Sequence, residues 1–171
     1  MKKYEFTGET KEIKLLFRTV TLHRIRATVA FGIVEAGDLG GWIEKEENLS
    51  HEGKAWVWGN AKVYGDAEVY GDAKVCGDAE VWGNAEVFSA SHVLVIGAIG
   101  SRNDFTTFYR DKDNEITVKC GCFLGKIDRF LEKVTQTNGD SKYALVYRAA
   151  VEVAKLQIDL SGEAPKDADE E

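Results

Sequence analysis

Residues Gly53–Phe88 read GKAWVW, GNAKVY, GDAEVY, GDAKVC, GDAEVW and GNAEVF without a gap. Each of these six-residue units, or hexads, has Gly first, Ala third and Val fifth. In an extended chain the Ala and the Val point to one side, and the residues between and after them point to the other. Each hexad is therefore predicted to be a short strand with a small aliphatic face. It ends at a corner of Gly with Asp or Asn, residues that tolerate positive φ.

A single hexad cannot bury its Ala and Val, so the repeat predicts stacked units. We predict a mainly β fold built on a parallel β-helix in which residues 18 apart are vertical neighbours. Left-handed winding is expected from the resemblance to other hexad proteins. An 18-residue coil places Lys62 over Glu80, whereas a 12-residue coil stacks Lys62 on Lys74, a like-charge pair. The six-residue spacing continues upstream through Ile43 and Leu49, so the helix is expected to begin before the first regular hexad.

The hexads divide the chain into three predicted segments. Residues 1–99 hold N-terminal strands, the second at Thr19–Ala27, and the β-helix. Residues 100–160 hold a C-terminal β-hairpin and two α-helices, the first of which ends at Gly139. These elements are expected to cap the array or to form oligomer contacts. Residues 161–171 are expected to be an acidic, disordered tail.

Composition limits the classes of function. The chain has 171 residues, 44% of them apolar, and a net charge of −7. It is long enough for one domain with a core, and its acidity argues against general nucleic-acid binding. No apolar stretch approaches the roughly 18 residues of a membrane span and no signal-peptide core follows Met1, so a cytoplasmic location is expected. Cys76, Cys120 and Cys122 lack neighbours at metal-ligand spacing, so no metal site is predicted.

Segments outside the hexads add a second pattern. They are Thr21–Ala27 (TLHRIRA), Ala36–Glu44 (AGDLGGWIE), Asn48–Gly53 (NLSHEG), Gly121–Gly125 (GCFLG) and Lys142-Tyr143. Together with the hexads, they make nearly the whole chain resemble the hexapeptide-repeat proteins encoded by phages and prophages of Gram-positive bacteria. The resemblance implies a small viral accessory protein in the cytoplasm of an infected bacterium, a class that often counteracts host defence.

The hexad pattern becomes irregular after Phe88, and the segment Gly97–Asn103 (GAIGSRN) follows. Glycines expose backbone N–H groups, and Ser and Arg add donors, so this segment predicts a site for a phosphate or a carboxylate. The candidate ligand-binding residues here are Ser101, Arg102, Asn103, Thr106 and Tyr109. The alternative is a tight exit turn with Arg102 in solvent.

A second cluster of positive charge lies on the predicted strand near the N-terminus. Its candidate ligand-binding residues are Arg18, Arg24 and Arg26. If the first strands fold back over the lower array, these arginines and Arg102 would surround a nucleotide-like ligand. The ring expected to stack its base is that of Trp42, Trp56 or Trp58. The alternative is an exposed strand whose arginines pair with nearby glutamates.

Aromatic residues recur on the outward side of the hexads. They are Trp58, Tyr64, Tyr70, Trp82 and Phe88, and Cys76 takes the place of an aromatic in the fourth hexad. Such a row predicts an oligomer interface or a cover of C-terminal elements, with direct ligand stacking as the alternative.

The chain offers little for catalysis. A hexapeptide-repeat acyltransferase needs a general base, normally a His, and only His23, His51 and His92 are available, without an acidic orienter at recognisable spacing. We therefore predict no enzyme and no cofactor. We predict a non-catalytic binding protein that captures a small anionic or nucleotide-type ligand of the host and forms a homo-oligomer, a trimer or another number. The alternatives are an inhibitor that binds a host defence protein directly, an acyltransferase, and a structural oligomer.

Overall fold

The structure is a computed structural model that describes residues 1–163, so most of the acidic tail predicted at residues 161–171 lies outside the described residues. The first strands are β1 (Tyr4–Lys14), β2 (Thr19–Ala27) and β3 (Leu39–Ile43). The hexads give β4 (Trp56–Val57), β5 (Lys62–Val63), β6 (Glu68–Val69), β7 (Lys74–Val75), β8 (Glu80–Val81) and β9 (Glu86–Val87). Then follow β10 (Val93–Ile99), β11 (Asp104–Arg110), β12 (Ile116–Cys120), β13 (Phe123–Lys126), α1 (Ile127–Asn138) and α2 (Lys142–Gln157).

The predicted fold class is wrong in its central element. In place of one left-handed parallel β-helix, the described strands form separate small sheets. One is a mixed sheet in the order β1-β2-β3-β5-β8, one is an antiparallel sheet β10-β11-β12-β13, and two are parallel pairs, β4-β7 and β6-β9. The physical reason is that each hexad supplies only two strand residues before its Gly corner, while the longer flanking strands pair antiparallel with one another. Residues 1–163 are mainly β, with two α-helices.

Residues 18 apart pair in parallel within the hexads, as the sequence predicts. Lys62 pairs with Glu80, and Val63 pairs with Val81. The same offset joins Trp56 to Lys74. The Ala and Val side chains of all six hexads are at most 1% exposed, so they form the core of the array. Each Val removed from water contributes about 1.5–3 kcal/mol before its entropy cost is counted.

The N-terminal strands cover part of the lower edge of the array. Strand β2 pairs antiparallel with both β1 and β3, and β3 pairs in parallel with β5. Ile43 lies opposite Val63, and a bridge joins Leu49 to Val69, so the upstream six-residue spacing continues the core as predicted. Strand β3 thus covers the outer edge of β5, whereas β4 in the first hexad pairs only with β7 among the described strands.

The upper edge of the array meets the four-stranded sheet. The N–H of Glu80 donates to Thr107 Oγ1 at 3.0 Å, and a bridge joins Ala85 to Asp111. Helices α1 and α2 pack on this sheet around Phe108 and Val118. The predicted hairpin is therefore present as β11 and β12, but it is this sheet that caps the array, and the helices form a further layer upon it.

The helix ends follow the sequence signals. Gly139 has φ 55° and ends α1, and its N–H donates to the carbonyl of Thr135. Ser141 caps α2 by accepting a hydrogen bond from the N–H of Ala144. Within residues 1–163, no helix has the length and apolar character needed to cross a membrane.

Candidate functional site: an aromatic cleft on the hexad array

Two of the three outward aromatic columns of the array are closed by stacking. Tyr64 and Trp82 stack with ring centroids 5.4 Å apart, and Tyr70 and Phe88 stack at 5.3 Å. In each pair the rings are 18 residues apart, because vertical neighbours carry equivalent positions of the repeat. Gly65, at φ 68°, makes room for this arrangement, since a Cβ there would lie 2.5 Å from the Trp82 indole. In these two columns, each outward ring therefore has a stacking partner within the chain.

The first closed column is also covered and hydrogen-bonded. Tyr64 is fully buried, and its hydroxyl donates to Glu80 Oε1 at 2.6 Å. Burial, and secondarily the charge of Glu80, raises the pKa of Tyr64 above its ordinary value, so the phenol stays a donor. Side chains of the β1–β2 hairpin, including Ile13 and Leu15, pack over the pair. Intramolecular cover thus accounts for this part of the predicted aromatic row.

The third column is open. The residue 18 positions after Trp58 is Cys76, which is exposed. No aromatic ring among residues 1–163 stacks on Trp58, whose own side chain is half-buried and packs on the array core. The replacement of one aromatic by Cys therefore removes the partner ring that Tyr64 and Tyr70 possess.

A cleft of about 440 Å³ lies beside Trp58. Its lining residues are Gly32, Ile33, Val34, Lys54, Trp56, Trp58, Asp72 and Lys74. The first three come from the loop between β2 and β3, and the others come from the first and fourth hexads. These hexads meet because Trp56 and Lys74 are a parallel pair. The volume falls within the range of ordinary small-molecule sites, about 300–1,000 Å³.

The floor of the cleft is a rigid aromatic layer. Trp56 is 1% exposed and meets the rings of Phe31 and Tyr4 edge-on, with centroids 5.4 and 6.2 Å away. Lys3 lies over Phe31 at 4.8 Å and donates through Nζ to the carbonyl of Ala55 at 2.8 Å. Burial lowers the pKa of Lys3 to about 8. These contacts fix the floor before any ligand arrives.

The rim of the cleft carries two lysines and one aspartate. The stem of Lys54 lies against Gly32, where a Cβ would contact it at 3.7 Å. Lys74 neighbours Trp56 across the parallel pair. In the described part of the chain, neither lysine forms an ion pair, and Asp72 forms none either. An anionic group at this rim can therefore be bound without first breaking an ion pair.

The predicted N-terminal arginines have carboxylate partners. Arg18 approaches Glu44 at 3.3 Å, and Arg26 approaches Glu5 at 2.7 Å. Arg24 lies 3.6 Å from Glu9 and 5.6 Å from the centroid of the Trp42 ring. This arrangement matches the alternative of an exposed strand paired with glutamates, and a ligand role for the three arginines stays a prediction.

Trp42 is surrounded by cations. Lys11 Nζ lies 4.1 Å above its ring. Burial, followed by the charges of Lys62 and Arg24, lowers the pKa of Lys11. The ring is 8% exposed and is occupied by these side chains, so it offers no open face for a base.

The fold separates the residues of the ligand site that was predicted after the array. Ser101, Arg102 and Asn103 form the exposed turn between β10 and β11. Thr106 and Tyr109 are buried in β11, where Thr106 Oγ1 donates to Cys120 Sγ at 3.3 Å and the Tyr109 hydroxyl donates to the carbonyl of Trp82. In the mixed sheet, β2 and β8 lie three strand spacings apart, about 14 Å, and β11 belongs to the separate four-stranded sheet beyond β8. The two predicted clusters do not meet.

The three histidines are occupied by structural contacts. His51 stacks on Tyr4 at 4.1 Å and accepts from the N–H of Lys3 through Nδ1. His92 accepts from the N–H of Phe88, and burial lowers its pKa. His23 stacks on Phe6 at 4.7 Å. None of the three lines the cleft.

Two residues that depart from the hexad pattern could have indicated the cleft from the sequence. Trp56 is the only aromatic at a fourth hexad position, where the other hexads have Lys or Glu, and Cys76 is the only non-aromatic at a sixth position. These two departures belong to hexads that stack on each other. Lys54 and Lys74 gave no signal, because exposed lysines are common in such repeats.

Comparison with models of known protein families gives no match to this chain, and comparison with curated proteins gives no match either. The cleft is therefore interpreted from its own geometry.

Proposed function

We propose that this protein is a non-catalytic binding protein that captures a small anionic ligand with a planar ring, of the nucleotide class, in the cleft beside Trp58. The single observation that carries the proposal is the open stacking position on Trp58, where both other columns of the array have a second ring. A ligand ring takes the place that Cys76 leaves unfilled.

The charges around the cleft favour an anionic ligand. Lys54 and Lys74 provide two ammonium groups on one side of the array, against the one carboxylate of Asp72. Lysine binds phosphate as a point charge, and stacking of a base on an aromatic ring is worth about 1–3 kcal/mol. Asp72 is placed to accept hydrogen bonds from hydroxyl or amino groups of the same ligand. This combination suits a nucleoside phosphate better than a neutral apolar compound.

The biological setting is part of the proposal. The resemblance to phage-encoded hexapeptide-repeat proteins supports a role as an accessory protein that sequesters a nucleotide-type signal of host defence in the bacterial cytoplasm. Capture needs only binding, and the histidines engaged in structural contacts are consistent with a protein that performs no acid–base chemistry.

The test is isothermal titration calorimetry of the full chain with nucleoside phosphates, the parent nucleosides and inorganic phosphate. We expect at least one nucleoside phosphate to bind with a dissociation constant in the micromolar range, near −8 kcal/mol. Its nucleoside and free phosphate should each bind more weakly, since each uses only half of the cleft.

Two substitutions of Cys76 test whether the ligand binds on the ring of Trp58. Cys76→Phe places a ring on Trp58 and should abolish binding, whereas Cys76→Ala leaves the position open and should bind like the wild type. If no member of the panel binds, or if the Phe variant binds as well as the Ala variant, the proposal fails.

A second candidate function is direct binding to a host protein, which the β1–β2 hairpin favours. At its tip, Leu16 is 88% and Phe17 is 93% exposed, an unusual position for two adjacent large apolar side chains. Capture of a defined host protein that is lost in a Leu16→Ser, Phe17→Ser double variant but kept in Trp58→Ala would favour this function over ligand capture.

A further inference from the structure

The last described residues of the chain lie against the hexad array, close to the aromatic cleft. After α2, the N–H of Asp159 donates to the carbonyl of Ser91 at 3.1 Å. The carbonyl of Gly162 accepts a hydrogen bond from the buried guanidinium of Arg110, and a Cβ at Gly162 would lie 4.0 Å from the ring of Phe88. These contacts hold the chain on the outside of the array almost to the end of its described part.

Phe88 connects this terminal segment to the rim of the cleft. Its carbonyl accepts from the N–H of Asp72 at 3.2 Å, and the carbonyl of Gly71 accepts from the N–H of Lys54 at 2.8 Å. Asp72 and Lys54 both line the cleft. Paired strands lie about 4.8 Å apart, so the backbone of Lys54 is two such spacings, about 10 Å, from that of Phe88.

The sequence beyond the described part carries charges that match those of the rim. Residues 164–171 read APKDADEE, so one lysine, Lys166, precedes four acids. The rim has one carboxylate and two ammonium groups, and none of the three forms an ion pair within the described part of the chain. They belong to Asp72, Lys54 and Lys74. Asp72 is the rim charge whose backbone is bonded to Phe88. A segment that runs from there into the cleft therefore brings its lysine to the carboxylate first and its acids to the two lysines next.

The number of residues is sufficient for this contact. An extended chain advances about 3.3–3.6 Å per residue. Lys166 is four residues after Gly162, a reach of about 14 Å, and Glu171 is nine residues after it, a reach of about 30 Å. The rim of the cleft lies within this span.

We propose that the acidic segment 164–171 of this chain docks on the rim of the aromatic cleft, with Lys166 toward Asp72 and the carboxylates toward Lys54 and Lys74. Exposed ion pairs are individually weak and sensitive to salt. Attachment through Gly162 nevertheless keeps the segment beside the rim at an effective concentration in the millimolar range. The segment and an anionic ligand then compete for the same two ammonium groups, a consequence that rests on the proposed function.

The first experiment is cross-linking of the full chain with a carbodiimide, which joins an amine to a carboxylate in direct contact, followed by mass spectrometry. We expect links from Lys54 or Lys74 to acids of segment 164–171. The matched control is Lys155, an exposed lysine of α2 that is nearer to the segment in sequence and has only a weak surface pair with Glu152. Links to the rim lysines should exceed those to Lys155 about fivefold at low salt, and this excess should disappear near 1 M salt.

The outcomes of this experiment do not depend on any ligand. Links to Lys155 that equal those to the rim lysines, or an absence of links to the rim, overturn the proposal. Mixing chains of natural and heavy nitrogen content identifies the source of the segment. Links that join a light chain to a heavy chain would mean that a second copy supplies the segment, and they overturn the proposal as well.

The second experiment measures the competition by calorimetry with the nucleoside phosphate. A full chain with its four terminal acids changed to amides should bind this ligand about threefold more tightly than the wild type. These acids are Asp167, Asp169, Glu170 and Glu171. The matched control loses the same number of carboxylates at exposed positions away from the cleft and should bind within about twofold of the wild type. Its changed residues are Glu12, Glu47, Asp128 and Glu132.

The two experiments separate this inference from the proposed function. Equal affinity of the two amide variants overturns the competition. If the rim cross-links form but no nucleoside phosphate binds to either variant, the proposed function fails and the docking of segment 164–171 stands.

Discussion

The closed column of Tyr64 and Trp82 and the open column of Trp58 and Cys76 are built on the same repeat and differ at one sixth position of a hexad. In the closed column a ring stacks on the next ring at 5.4 Å, a hairpin covers both, and a carboxylate accepts from the phenol. In the open column the second ring is missing, and Trp58 lines a cleft whose rim carries two lysines.

The difference shows how a repeat can carry a site. A regular array uses its outward rings to stabilise itself, because each ring finds an equivalent ring 18 residues on. An interruption removes this internal partner without disturbing the Ala and Val core beneath, since Val75 beside Cys76 remains fully buried. The ring that is left, Trp58, packs on the array core, is partly exposed and lines the cleft. A binding position thus arises at little cost in stability.

The largest expected effect separates the two columns directly. Tyr64→Ala should lower the free energy of unfolding by about 3–5 kcal/mol, because it removes a fully buried ring and its hydrogen bond to Glu80. Trp58→Ala should cost only about 1–2 kcal/mol, because its ring is half-buried and unstacked. Urea unfolding of both variants gives the comparison. Equal losses would mean that the open column is as important for the fold as the closed one.

The next effect concerns the floor beneath the open column. Burial lowers the pKa of Lys3 to about 8 in the folded chain, from 10.5. Between these values the unfolded chain binds the extra proton, so the stability contributed at this position rises with pH, by at most about 1.4 kcal/mol per pH unit. Below pH 8 both states are protonated and the contribution is constant.

Lys3→Met removes this titration and keeps the apolar stem. The difference in unfolding free energy between the wild type and this variant should therefore shift in favour of the wild type from pH 8 to pH 10, and groups that titrate elsewhere cancel. A difference that stays flat over this range would show that the ammonium of Lys3 is not desolvated.

The local structure of the hexad array was predictable from the sequence because it depends on residue spacing and turn residues. The inward Ala and Val, the pairing of residues 18 apart, strand β2, the β11–β12 hairpin and both helix boundaries follow from spacing and capping residues. The sheet organisation did not follow, since pairing between distant strands depends on long-range contacts. Strand β3, for example, pairs antiparallel with β2 on one side and parallel with β5 on the other.

The candidate site was harder to predict for a related reason. Clustered arginines in a sequence suggest a ligand site, yet the hairpin register places Arg26 opposite Glu5, and Arg18 lies 3.3 Å from Glu44, the residue after β3. Thr106 and Tyr109 lie on a strand whose burial depends on the array below. The cleft instead combines a loop at residues 32–34 with two hexads, and only the fold brings these together.

A smaller effect concerns the charges at the cleft. Lys54→Met and Lys74→Met should each weaken binding of the nucleoside phosphate about tenfold, or 1.4 kcal/mol, and should leave binding of the nucleoside unchanged. Lys14→Met, at an exposed lysine of β1, is the matched control and should have no effect. Calorimetry at two salt concentrations checks the cause, because the loss should shrink as salt screens the wild-type attraction. An equal loss for the nucleoside would assign the lysines to packing instead.

The smallest expected effect converts the open column into a closed one. Cys76→Phe gives Trp58 the stacking partner that Trp82 provides for Tyr64, and an aromatic pair adds about 0.5–1.5 kcal/mol beyond the area it buries. The variant should therefore unfold at a higher urea concentration than the wild type, whereas Cys76→Ala should not. A gain in stability together with a loss of binding would show that the repeat and the ligand compete for the same face of Trp58. A variant that is no more stable than Cys76→Ala would mean that the face is blocked by the chain itself, and the comparison between the two columns would then no longer explain the cleft.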